Sequence, residues 1–148
     1  GGNHRGSIFR LLIGQALLAE MSSQKCRSWG VAGDKKKASQ ALNVDRKTID
    51  VSELPVEMAV SQKICKMPFI CLGVDDEPGK GSLRSIIERN SIALLSNFDG
   101  HCIDLPSDSW LGHRSDRELV RRSGLWNQRH VNEAYNSGFL DVVESLIT

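Results

Sequence analysis

Apolar residues recur at helical spacing in several parts of the chain. Within residues 8–20 they fall on one face of a helix, and Ser7 is suited to cap its start. A second helix is predicted to begin at Ser52, with Pro55 in its first turn, where a proline is tolerated. The intervening residues 22–50 are polar and contain glycines, so we expect mainly a long loop there.

Further helices follow from the same kind of pattern, most of them beginning at a serine that is suited to cap them. The tetrapeptide that starts at Ser115 also matches a capping box, and its helix is expected to end near Gly124. The predicted helices cover residues 36–42, 82–96, 115–124 and 137–146.

One segment has the pattern of a β-strand. Residues 68–74 form a continuous apolar run before the turn at 75–79, which is typical of a strand buried on both faces. A strand needs partners, so these must come from residues 25–50 or from a segment before Gly1. We therefore predict an α+β fold, mostly helical with a small sheet, in which this strand packs against the helix over 83–97.

Composition indicates one globular domain over residues 1–148. The chain is 40% hydrophobic and 25% charged, which allows one core, and it is short for two domains. There is no apolar run of the roughly 20 residues that a membrane span needs, and no signal peptide, so we expect a cytoplasmic protein. Four irregularly spaced cysteines favour reduced core thiols over disulfides or over a zinc site that uses His101 and Cys102.

Positive charge is concentrated locally although the net charge is only +1. Residues 1–50 hold nine Lys and Arg against four Asp and Glu, and residues 114–129 are basic again. Such patches fit a nucleic-acid partner and fit an ordinary solvated surface equally well. A row of three arginines is expected on one helical face, and no glycine loop for a nucleotide cofactor is found. The candidate phosphate-binding residues are Arg5, Arg10, Arg114, Arg117 and Arg121.

Glu88 is the most informative residue of the sequence. The helix over 83–97 is apolar around most of its circumference, so we expect it to be buried, with Glu88 in the face of Ile92 and Leu95. A carboxylate in such surroundings costs several kcal/mol unless it is paired or binds a metal. Arg84, one turn earlier, is suited to form that ion pair, and a metal site is the second hypothesis.

Four segments resemble a bacterial group of proteins with a GIY-YIG nuclease domain. They are GGNHRGSIFR (1–10), IERNSIALLSN (87–97), WLGH (110–113) and SGLWNQRHV (123–131). The resemblance implies a small three-stranded antiparallel sheet flanked by helices, and hydrolysis of phosphodiester bonds in DNA with one divalent cation such as Mg²⁺. By position it implies that Glu88 binds the metal and that Asn97 is the asparagine that follows in a nearby turn.

The chain also departs from the pattern of that group. The paired Gly-Ile-Tyr and Tyr-Ile-Gly strands and the Arg-x-x-x-His helix do not occur in it. We therefore expect a fragment that begins after those elements and is inactive alone, from an intact metal-dependent DNA endonuclease. One alternative is a non-catalytic DNA-binding or protein-interaction module of the same fold. Another is an unrelated α+β domain in which the pair between Glu88 and Arg84 is structural.

Overall fold

The computed structural model describes residues 2–21, 25–100 and 103–147, and within these ranges it contains helices and irregular segments but no β-strand. The predicted α+β fold with a small antiparallel sheet is therefore wrong for the described chain. Two short 3-10 helices cover His4–Gly6 and Leu111–Arg114. The α-helices are α1 (Ile8–Glu20), α2 (Lys35–Leu42), α3 (Arg46–Ile64), α4 (Leu83–Leu95), α5 (Glu118–Ser123) and α6 (Gly138–Ile147).

The chain divides into two compact units. The first comprises Gly1–Met67 with Ser109–Glu118, and the second comprises Pro68–Asp108 with Leu119–Thr148. That the whole of 1–148 forms one domain stays a prediction. No helix in the described ranges combines the length and the apolar character that crossing a membrane requires.

The core of the first unit lies between α1 and α3, which pack against each other. Helix α1 has the predicted bounds, and the hydroxyl of Ser7 accepts from the N–H of Arg10 at its start. The 3-10 helix Leu111–Arg114 also packs on α1. The buried apolar residues of the two long helices are Leu12, Ile13, Ala16, Ile49, Val56 and Val60.

Helix α3 begins six residues before the predicted start at Ser52. Asp45 caps it, because its Oδ1 accepts from the N–H of Thr48 at 2.9 Å and its Oδ2 accepts from the Thr48 hydroxyl at 2.9 Å. Pro55 consequently lies inside the helix, where it removes one intrahelical hydrogen bond without ending the helix. The expectation of a loop up to residue 50 was wrong for this first part of α3, whereas the short helix near 36–42 is confirmed.

Residues 68–74 do not form the predicted buried strand. They are irregular, and Phe69 and Ile70 are 85% and 98% exposed. A lone extended segment has no neighbour to bind its backbone groups, and no second strand exists among the described residues. Helix α4 packs with α6 instead of with a strand, and Ala93 is the one residue of α4 that is buried.

The remaining predictions on structure are confirmed in part. Helix α5 ends as expected before Gly124, which has φ +72°, but it begins at Glu118, since Ser115 closes the preceding 3-10 helix. The described cysteines are free, yet Cys65 and Cys71 are exposed and do not belong to a core. His101 and Cys102, the residues considered for zinc, lie outside the described residues.

Candidate functional site

Helix α4 carries the candidate metal-binding residue. The helix begins where the hydroxyl of Ser82 accepts from the N–H of Ser85 at 3.2 Å. Glu88 lies in its middle and is exposed, so the prediction of an apolar, buried surrounding is wrong. Exposed apolar residues such as Ile86 and Leu95 flank it along the helix. The pattern indicated a buried helix because it is apolar on two faces, but most of its residues are only partly covered.

Arg84 does not pair with Glu88. Its Nε donates to Oδ1 of Asp76 at 2.7 Å, in the acidic turn that precedes the helix. The backbone N–H of Arg84 also points to the same carboxylate, at 3.4 Å. The ion pair between Arg84 and Glu88, which was the alternative to a metal site, is therefore not formed, and Arg84 pairs with Asp76 instead.

Arg89, the second arginine of α4, also has an acidic partner. Its Nε donates to Oε2 of Glu133 at 2.6 Å, and Nδ1 of His130 lies 2.9 Å from the other oxygen of that carboxylate. The hydrogen bonds of His130 and Arg89 hold the pKa of Glu133 below its ordinary value. His130 itself has φ +62°, an uncommon conformation outside glycine.

Asn90 of α4 has a structural role. Its Nδ2 donates to the carbonyl of Ile86 at 2.8 Å, and its Oδ1 accepts from the N–H of Asn136 at 2.7 Å. Together with the pair between Arg89 and Glu133, it ties α4 to the segment before α6.

Glu88 is consequently the one charged residue of α4 whose side chain has no hydrogen bond or ion pair with any residue in the described ranges. An exposed, unpaired carboxylate remains available to a cation or to water. Within those ranges, no three His, Cys, Asp or Glu side chains are grouped so that they could hold a metal together. The helix therefore presents a single possible protein ligand.

Asn97 lies just beyond the end of α4. Its backbone N–H donates to the carbonyl of Ser123 at 2.9 Å, and its Nδ2 donates to the carbonyl of Asp104 at 2.9 Å. Its Oδ1 is buried with no partner among the described residues. Gly124 fits closely here, since a Cβ at that position would lie 2.7 Å from Nδ2 of Asn97. Asn97 thus joins two loops to the end of α4.

Glu88 and Asn97 are not brought into contact by any hydrogen bond. Glu88 lies seven positions before the last residue of α4, which corresponds to roughly 10 Å along a helix axis. A cavity of about 430 Å³ lies near the carboxyl end of α4, lined by residues that include Ser96, Asp99 and Tyr135. Neither Glu88 nor Asn97 lines it. That Glu88 faces a concave surface near Asn97 stays a prediction.

Arg5 and Arg10 are held by carboxylates of α3. The side chains of Arg5 and Glu53 are only 4% and 5% exposed, and Nη2 of Arg5 donates to Oε1 of Glu53 at 2.7 Å. This hydrogen bond raises the pKa of Arg5 further. Arg10 donates from Nη2 to Oε2 of Glu57 at 2.6 Å, and Nδ1 of His4 lies 2.9 Å from the other oxygen. Both arginines are part of the packing of the first unit, and their contact with phosphate stays a prediction.

Arg114, Arg117 and Arg121 are exposed, but they do not form one row on a helix. Arg114 lies in a 3-10 helix with its Nε 3.7 Å from Oε1 of Glu20, and Arg117 precedes α5. Arg121 alone of the three belongs to α5. The expected common face is wrong because the helix begins at Glu118, whereas the role of each arginine in DNA binding stays a prediction.

The comparisons with known proteins gave one finding. A family model described as the GIY-YIG domain matches residues 1–148, which is the whole chain. No match was found among curated proteins, and none among solved structures.

Proposed function

Because this chain belongs to the GIY-YIG domain family, a family of nucleases, we propose that the protein is a divalent-metal-dependent endonuclease that hydrolyses phosphodiester bonds in DNA. Glu88 carries the proposal. It occupies the position that the resemblance assigns to metal binding, and it is the exposed carboxylate that α4 leaves unpaired while both arginines of that helix have partners.

A single carboxylate is compatible with Mg²⁺. This ion keeps several of its waters and is often held by one or two carboxylates together with phosphates of the substrate. Glu88 fits that requirement, since its oxygens are exposed and no described cation neutralises them. When bound, the metal stabilises the negative charge that develops on the scissile phosphate and on the leaving oxygen.

Residues of α4 and of its neighbouring segments support Glu88 without binding substrate. Arg84 pairs with Asp76, so it does not occupy the carboxylate of Glu88. Arg89 and Asn90 fix the helix to the segment at 130–136. In our proposal Asn97 orders the loops at the end of α4, in keeping with its hydrogen bonds to Ser123 and Asp104, and its buried Oδ1 is available to a donor from a bound water.

DNA binding is proposed to involve the exposed arginines. Arg114, Arg117 and Arg121 present guanidinium groups at the surface, where neutralising a phosphate releases counterions. Arg5 and Arg10 would have to leave Glu53 and Glu57 to reach a phosphate, so they contribute mainly through the stability of the first unit.

Two groups needed for hydrolysis have no match in these 148 residues. The resemblance implies a tyrosine that activates water and an arginine that stabilises the transition state, both in the motifs that this sequence lacks. The single tyrosine, Tyr135, lies outside any such motif. Cleavage is therefore to be tested with the product of the complete open reading frame.

Metal binding by Glu88 can be tested without cleavage. Mn²⁺, a paramagnetic substitute for Mg²⁺, should broaden the NMR amide signals of α4 around Glu88. Glu88→Gln should remove this broadening because it removes the charged ligand. Glu77→Gln is the matched control, since Glu77 is also exposed and unpaired among the described residues of the second unit, and it should leave the broadening intact. Unchanged broadening in Glu88→Gln would refute the assignment and favour the non-catalytic module.

A further inference from the structure

Helices α2 and α3 are joined by a three-residue turn, Asn43–Asp45. Asn43 adopts the left-handed conformation with φ 52° and ψ 46°, and its N–H donates to the carbonyl of Gln40. Both backbone polar groups of Val44 form hydrogen bonds with Ser39. The Val44 N–H donates to the Ser39 carbonyl at 3.2 Å, and the Ser39 hydroxyl donates to the Val44 carbonyl at 2.6 Å. The turn therefore sets the direction of α3 rigidly.

The two helices pack against each other with a third behind them. Ala38 of α2 is fully buried, and its small side chain allows α3 to approach closely. Ile49 of α3 is buried on the same side, while α1 packs on α3 as well. A turn of three residues between two packed helices, with a further helix behind them, is a feature that this region shares with the helix-turn-helix DNA-binding motif.

The first turns of α3 have an exposed surface. Val51 and Leu54 are 73% and 59% exposed, although they are apolar and lie in the middle of a helix. Arg46 and Lys47 are exposed as well, and no described residue forms a hydrogen bond or an ion pair with their side chains. Residues 46–54 thus carry two cations and two exposed apolar groups within about two helical turns, together with Asp50, which pairs with Lys35.

Positive charge precedes α3 and includes its first two residues, whereas the later turns of the helix carry Glu53 and Glu57, which pair with Arg5 and Arg10. Residues 25–50 contain seven Lys and Arg but only three Asp. Asp34 and Asp45 cap the starts of α2 and α3, and Asp50 pairs with Lys35. The positive residues are Lys25, Arg27, Lys35, Lys36, Lys37, Arg46 and Lys47. A surface of this kind is complementary to the phosphate backbone of a nucleic acid.

We propose that α3 is a recognition helix that enters the major groove of double-stranded DNA. Arg46 and Lys47 reach base edges there, where guanine offers two acceptors, and Val51 lies against thymine methyl groups. The lysines of α2 contact phosphates on the edge of the groove. Duplex RNA is the poorer partner, because its major groove is too narrow and deep for a helix.

The inference rests on the proposed function only in taking DNA as the partner, and it assigns the surface that reads the sequence. It also assigns sequence recognition and metal binding to different units, since α3 belongs to the first unit and Glu88 to the second. A loss of sequence preference is therefore expected without any effect on metal binding.

The test compares two double variants of the same helix region. Arg46→Ala/Lys47→Ala removes two positive charges from the proposed reading face, and Lys63→Ala/Lys66→Ala removes two exposed positive charges from the other end of α3 and the residues after it. Affinity for a duplex selected from random sequence is measured with EDTA present, so that cleavage plays no part. The first pair should weaken binding about ten-fold or more, and the second by about two-fold or less. Equal losses would overturn the proposal.

The groove is tested on the same duplex by methylating guanine N7, which lies in the major groove. Methylation at the selected site should interfere with binding of the unsubstituted protein and of Glu88→Gln, and the interference should disappear in Arg46→Ala/Lys47→Ala. Circular dichroism checks that this variant keeps its helices, since Ala favours helix formation. Absence of interference at every guanine of a bound site would overturn the proposal. Interference that persists in Glu88→Gln, together with Mn²⁺ broadening unchanged by that substitution, would retain this surface and reject the proposed nuclease site.

Discussion

The carboxylates of this chain differ in what they bind. Glu53 holds a buried arginine, Glu57 holds His4 and Arg10, and Glu133 holds Arg89 with His130. Each of these carboxylates forms its ion pairs within its own unit. Glu88 has no such partner among the described residues and also occupies the position that the resemblance assigns to metal binding, and we assign it to a ligand on these two grounds together.

The ion pair between Arg5 and Glu53 should be essential for the stability of the first unit. Glu53→Ala leaves the guanidinium of Arg5 buried without its partner, so unfolding in urea should show a loss of about 3–5 kcal/mol. Lys35→Ala is the control because its pair with Asp50 is largely exposed, and it should cost less than about 1 kcal/mol. Similar losses for the two variants would show that burial of the pair has no energetic consequence.

At the level of single residues, the sequence could indicate Glu88 but not its surroundings. The wheel of the helix placed it among Ile92 and Leu95, which suggested burial, whereas the structure leaves it exposed. Periodicity reports which residues share a face but not whether another element covers that face. The partner of Arg84 could not be predicted from the sequence either, because Asp76 lies eight residues away in an irregular segment.

At the level of elements, the bounds of a helix could be predicted where a capping residue stood directly before an apolar helical pattern. Helix α1 has both, and its predicted bounds are confirmed. Helix α3 has an earlier cap at Asp45, which accepts from both the N–H and the hydroxyl of Thr48, so the serine chosen from the pattern lies inside the helix. Residues 68–74 have the apolar run of a strand, but strand formation needs a partner, and this depends on residues far away in the sequence.

Helix α1 should also depend on the glycine at its centre. A Cβ on Gly14 would lie 2.1 Å from the ring of Trp29, whose Nε1 donates to the carbonyl of Leu11 at 3.2 Å. Gly14→Ala should therefore lower the free energy of unfolding by about 1–3 kcal/mol, despite the better helix propensity of alanine. In Gly6→Ala the new Cβ has no neighbour within 4 Å, and the change should stay within about 0.5 kcal/mol. A thermal or urea unfolding series decides, and equal stability of the two variants would contradict the close packing of Trp29.

For the whole molecule, short sequence segments were sufficient to predict the family but not the fold of this chain. The segments at 87–97 and 123–131 suggested the GIY-YIG family, and the family model matches all of 1–148. The sheet that the resemblance implied is absent from the described residues, since only one segment had the pattern of a strand and it has no partner. Helix α2 was predicted, but the basic first turn of α3 fell in residues interpreted as a loop, because the turn between the two helices depends on one left-handed asparagine.

The central claim is that Glu88 provides the metal ligand for cleavage of DNA. Its most direct test is nicking of supercoiled plasmid by the product of the complete open reading frame, with Mg²⁺ and with EDTA. The unsubstituted protein and Glu77→Gln should cleave only with Mg²⁺, and Glu88→Gln should be inactive while it still binds duplex DNA with unchanged affinity. Full Mg²⁺-dependent cleavage by Glu88→Gln would contradict the account.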